Sequence, residues 1–164
     1  MKNQKYKLLA VATLVALAFF RLIPHPPNFT PILAISVFAG IKFKDNLFSY
    51  LVPVSAMLVS DAIIGFHNGM IIIYLAILLS AFIARKFNNI KISVLSSSIL
   101  FFLITNFQVW IMSSSYPKSL FGILECYTLA IPFFCMTLLS SFFFSYVLFY
   151  GFAFLTSDNL YQKI

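Results

Sequence analysis

Six apolar runs follow one another along the chain, at about Lys7–Ile23, Thr30–Ile41, Leu47–Ile64, Met70–Ala84, Ile92–Met112 and Tyr127–Leu155. A helix crossing a bilayer needs roughly 20 residues, within a range of about 17–25. The third, fifth and sixth runs meet that length comfortably, and the first and fourth meet it at the short end. The second is too short alone, and spans only if part of the preceding Pro-rich stretch lies at membrane depth. Thr30-Pro31 reads there as an N-cap followed by proline at the first helical position.

Composition removes the soluble alternative. Hydrophobic residues make up 62% of the 164 residues and charged residues 9%, against roughly 25% charged in soluble domains. The formal charge of +7 does not form a nucleic-acid patch, because the cations punctuate the ends of the apolar runs. Six crossings from a cytoplasmic N-terminus put Lys2, Lys5, Lys7, Lys42, Lys44, Arg85, Lys86, Lys91 and Lys163 inside. Only Arg21 and Lys118 fall outside. That distribution follows the positive-inside rule, and a re-entrant second run would spoil it. Lys2, Lys5 and Lys7 before Leu8–Val15 and Ala16-Leu17-Ala18 could also open a cleavable signal peptide. Cleavage would leave five spans and strip the helix that carries Arg21, so the segment is read as the first span.

The pattern therefore predicts an all-α membrane protein with six transmembrane helices and both termini cytoplasmic. Its second helix is short and preceded by a Pro-rich extracytoplasmic loop. Residues 1–155 form the single domain, and residues 156–164 form a polar cytoplasmic tail.

This topology gathers the polar residues at one level. Arg21 closes the first helix, with His25 and Asn28 in the loop after it. Asp61 lies near the outer end of the third, before Gly65-Phe66-His67-Asn68. Asn106 and Trp110 stand in the outer half of the fifth, and Glu125 and Tyr127 open the sixth. Ionisable groups within membrane helices usually face a cavity or pair with one another. Convergence from several helices predicts an outward-facing ligand chamber, with Arg21 meeting either an anionic group or Asp61. Each residue also has a plainer reading. Arg21 can snorkel to headgroups, and Trp110 can serve as an aromatic-belt anchor. Asn106 can hydrogen-bond between helices, the two histidines can be loop residues, and Glu125 can be a solvated loop carboxylate.

Catalytic constellations are missing from the sequence. It holds no G-x-S-x-G, H-E-x-x-H or phosphate-binding glycine loop, so neither an enzyme nor a cofactor is predicted. Cys126 and Cys135 lie about 13.5 Å apart along a helix, too far for a disulfide within it. Ala12-x-x-x-Ala16 is a small-xxx-small face through which another helix could approach.

Arg21-Leu-Ile-Pro-His-Pro-Pro-Asn-Phe-Thr-Pro31 is the most distinctive stretch. With Ser60-Asp61, Gly65-Phe66-His67, Thr105-Asn106-Phe107, Trp110 and Tyr116-Pro117 it resembles an uncharacterised bacterial family of small multi-span transport proteins. That family is similar in layout to the substrate-binding S components of energy-coupling factor vitamin transporters. The resemblance implies residence in the bacterial cytoplasmic membrane. The likeness to S components implies six helices, ligand capture from outside, and docking on a transmembrane coupling subunit with ATPases through Ala12 and Ala16. It would place the ligand against His25, Asn28, Asn106, Trp110 and Tyr116. Arg21, Asp61 and His67 join that set from the topology. The predicted function is thus the substrate-binding subunit of a small-molecule, vitamin-like uptake system, in contact with substrate and lipid but not nucleic acid. The alternatives are a proton-coupled secondary transporter using Asp61 and a non-catalytic membrane scaffold.

Overall fold

A computed structural model describes residues 4–43 and 45–156; Lys2, Lys44, Lys163 and the predicted tail from residue 157 lie outside them. The described residues form six α-helices and no strand. They are α1 (Gln4–Ala18), α2 (Ile32–Lys42), α3 (Asn46–Ile64), α4 (Met70–Phe87), α5 (Ile90–Met112) and α6 (Leu120–Thr156), with a 3-10 turn Phe19–Leu22 extending α1. Helices α3 to α6 are each long and apolar enough to cross a membrane.

The helix boundaries follow from local chemistry. Asp45 and Asn89 cap α3 and α5, their side chains accepting the backbone N–H of Leu47 at 2.9 Å and of Ile92 at 3.0 Å. These contacts satisfy donors that the first helical turn leaves open. Gly65 ends α3 at φ 114°, and Asn88 ends α4 at φ 51°, a left-handed conformation that asparagine tolerates. Asn88 and Asn89 therefore make the whole α4–α5 joint, one closing a helix and the next opening another. At α2 the boundary differs from expectation by one residue. Pro31, not Thr30, occupies the cap position, and its carbonyl accepts the Ile35 N–H at 2.8 Å.

Helix α2 is the axis of the molecule. It touches each of the other five helices, which close a ring around it in the order α1, α3, α4, α5, α6; the seam between α6 and α1 is the thinnest. All eleven of its residues are buried. Its closest neighbour is α4, whose inward face is the small-residue row Ala76, Ser80, Ala81 and Ala84. A Cβ on Gly40 would stand 2.3 Å from the Ala81 carbonyl oxygen, so only glycine allows the two backbones this near. Small residues at helix contacts let backbones approach closely, which is how helices pack when their outer faces meet lipid. The outward faces fit that solvent, because Leu51, Ile63, Leu79, Ile99 and Leu139 are all exposed.

Helix α6 is longer than the run Tyr127–Leu155 foretold, reaching back to Leu120. Its 37 residues extend about 55 Å at 1.5 Å per residue. Glu125 therefore lies on a helix, exposed, rather than in a loop. The first part of α6 packs on α5, where the Tyr127 hydroxyl donates to the Leu103 carbonyl at 2.6 Å. The later part packs on α2 through Phe149 and Phe152, both in ring contact with Phe38.

Candidate functional site

The inward stripe of α1 runs through Ala10, Leu14 and Ala18, and Arg21 continues it at the same three-to-four spacing. Helix α3 buries Val52, Pro53, Ala56, Met57, Ser60 and Asp61. The two stripes meet. Arg21 Nη1 donates to Asp61 Oδ1 at 2.7 Å, and also reaches the Ser60 hydroxyl and Met57 Sδ. The Tyr74 hydroxyl on α4 donates to the second carboxylate oxygen, Oδ2, at 3.0 Å. Asp61 is 1% exposed and Arg21 14%. A charge this deep is tolerable only with an opposite charge and hydrogen bonds on it, and here both carboxylate oxygens are engaged.

A cavity of about 370 Å³ opens beside Arg21. Its wall on one side is the Pro-rich segment, which is non-helical from Ile23 to Pro31. His25 Nδ1 lies 2.7 Å from the Ile23 carbonyl. A carbonyl can only accept, so that nitrogen carries the proton. The imidazole also meets the Phe20 ring edge-on, at 5.8 Å between centroids. Asn28 sits at φ 62°. Its carbonyl accepts the Thr30 N–H at 3.0 Å and the Ser140 hydroxyl at 3.3 Å, which fastens the loop to the middle of α6. Phe29 adds an apolar anchor on Phe144.

Of the residues that sequence reasoning singled out, Arg21, His25, Asn28 and His67 line this cavity. Asp61 stands behind Arg21 and does not reach the wall. Asn106, Trp110 and Tyr116 lie elsewhere. The Asn106 side-chain amide donates to the Phe102 carbonyl one turn earlier, at 2.8 Å. Trp110 Nε1 donates to the Pro117 carbonyl at 3.0 Å, and Lys118 covers the indole ring at 5.6 Å while its ammonium donates to the Trp110 carbonyl. These contacts stitch the α5–α6 connection, in which Tyr116 also sits. Ala12 and Ala16 are exposed, on the side of α1 away from the core stripe. Ala16 borders an apolar groove between α1 and α6.

Several lining residues were not predicted from the sequence to belong to the site: Thr30, read only as a helix cap, with Phe101, Thr137, Ser140 and Ser141. One signal was available. Thr137, Ser140, Ser141 and Ser145 fall at helical spacing on one face of an otherwise apolar helix, and all four are buried. Tyr74, the second partner of Asp61, had no sequence cue beyond its place one turn into α4.

Fold and site together define a class: a helical bundle with membrane-compatible outer walls, a buried central helix, and a cavity of small-molecule size, polar over part of its wall, at one end. The chain belongs to a family of unknown function, DUF6580, whose model matches residues 1–163. Neither a curated protein nor a solved structure matched it.

Proposed function

We propose that the protein is the substrate-binding membrane subunit of a small-molecule uptake system, laid out like an energy-coupling factor S component. In this reading all six helices cross the bilayer, both termini are cytoplasmic, and the cavity opens to the outside. The observation that carries it is the cavity, whose polar lining comes from the end of α1, the Pro-rich loop, the α3–α4 connection and α6. Its volume falls in the range of small-molecule sites, about 300–1,000 Å³. A scaffold has no use for polar side chains converging on one open cavity. The cations support the same orientation. Lys42, Arg85, Lys86 and Lys91 share the opposite end of the bundle, where Arg85 donates to the Phe43 carbonyl at 2.9 Å.

Two measurements test this. Native mass spectrometry of the gently solubilised protein is expected to find a co-purifying small molecule. Asn28→Ala should reduce its retention about tenfold, the effect of one lost hydrogen bond, whereas Asn106→Ala should leave it unchanged. Equal retention in both variants, or no bound molecule in the wild type, would overturn the proposal. Single cysteines at His67 and Lys86 should label from opposite faces of intact cells once Cys126 and Cys135 are replaced. Labelling from the same face removes the topology.

A further inference from the structure

The start of α2 faces the cavity, with Thr30, Ile32 and Leu33 among the lining residues. It begins without a cap. Pro31 has no N–H, no side chain caps the helix, and the backbone N–H groups of Ile32, Leu33 and Ala34 have no acceptor among the described residues. All three residues are buried. A buried helix start carries a partial positive charge and donors aimed along its axis, which together attract anions.

Three further observations point the same way. Ser141 lines the cavity, is 1% exposed, and its hydroxyl has no partner among the described residues, although Thr137 on the same face bonds back to its own helix. Among the described residues Arg21 spends only Nη1, on Asp61, Ser60 and Met57. Its side-on edge, Nε–H with Nη2–H, is left whole, and that edge matches a carboxylate in two parallel hydrogen bonds. Finally, the lining includes Arg21 and two histidines but no carboxylate side chain. Asp61 holds the guanidinium from behind without facing the space.

We infer that the cavity takes a small organic carboxylate, its carboxylate held by the side-on edge of Arg21 and the first turn of α2, with a polar group of the same molecule paired to Ser141. This names the substrate class of the site proposed above and rests on that reading.

The test uses the full chain purified in a neutral maltoside detergent. Thermal unfolding is followed against a panel of small carboxylates, each matched with its own primary amide (benzoate with benzamide, nicotinate with nicotinamide, and so on), and against phosphatidylglycerol. At least one carboxylate should raise the melting temperature while its amide does not. Arg21→Lys, which keeps the charge but loses the paired donors, should weaken that carboxylate about 10- to 100-fold. Ser141→Ala should weaken it about 3- to 10-fold while leaving the ligand-free melting temperature unchanged or slightly raised, since that buried hydroxyl bonds to nothing among the described residues. Stabilisation by amides alone overturns the charge assignment and leaves a binding protein for neutral compounds. Stabilisation by phosphatidylglycerol alone overturns it in favour of a lipid headgroup site. No stabilisation by any compound overturns it too and, joined to the absence of a co-purifying molecule, removes the uptake reading as well.

Discussion

Asp61→Ala is expected to destabilise the protein by about 3 kcal/mol, the lower end of the cost of breaking a buried ion pair. Asp61 is almost fully enclosed, and its loss strands the Arg21 guanidinium together with the Tyr74 hydroxyl. Arg21 keeps some access to the cavity, which lets it find other partners and keeps the penalty below the upper end of about 5 kcal/mol. Asp61→Asn should cost less, because the amide oxygen still accepts from Arg21. Removing both charges in Arg21→Met with Asp61→Leu should restore most of the stability, since a buried pair is often no better than apolar groups of similar size. Denaturant titration of the wild type, Arg21→Met, Asp61→Leu and the double variant in detergent completes the cycle. If the double variant is as unstable as the sum of its parents, the two residues act independently and the ion pair is not what holds α1 to α3.

Gly40→Leu is expected to have the largest effect of any single change, with the protein failing to accumulate as a monodisperse species. Even Gly40→Ala should cost about 1–3 kcal/mol, the usual penalty of overpacking. The obstruction is the backbone of α4, at Ala81, which cannot swing aside as a side chain would. Gly151 gives the control. It is also helical, but a Cβ there would meet nothing within 4 Å. Gly151→Ala should leave stability unchanged or raise it by about 0.5–1 kcal/mol through helix propensity. Size-exclusion profiles and melting temperatures separate the two cases, and equal behaviour at both positions would mean that α2 and α4 are not in close contact.

Helix count and order were legible because apolar runs are bounded by residues with a mechanical reason to start or stop a helix, such as Asp45 before α3, Gly65 after it and Asn88 after α4. The place of α2 was not legible. A helix that faces protein on all sides and one that faces lipid carry the same unbroken apolar pattern, so the run from Thr30 to Ile41 does not reveal that it is central. Arg21 was readable in principle, since it continues the Leu14–Ala18 stripe. Asn106 and Trp110 share a helix face four residues apart, and their height along the bundle says nothing of which way that face turns. Local carbonyls, those of Phe102 and Pro117, take their polar hydrogens instead. Ser141 was hidden among the many serines that serve close helix packing; Ser93, Ser98 and Ser145 are unpartnered among the described residues as well, and Ser141 differs from them in lining the cavity.

The enclosure of α2 has a consequence for how the chain is made. Eleven residues cover only about 17 Å of rise, well short of a hydrocarbon core of about 30 Å. Such a segment is a poor insertion signal and gains no stable lipid boundary of its own. During synthesis it must wait, shielded or misplaced, until α3 and α4 emerge to give it walls. In the proposed topology, commitment of the second crossing therefore belongs to a late, collective step of biogenesis, and mutations that slow the arrival of α4 should expose α2 to membrane quality control before they alter any property of the finished protein.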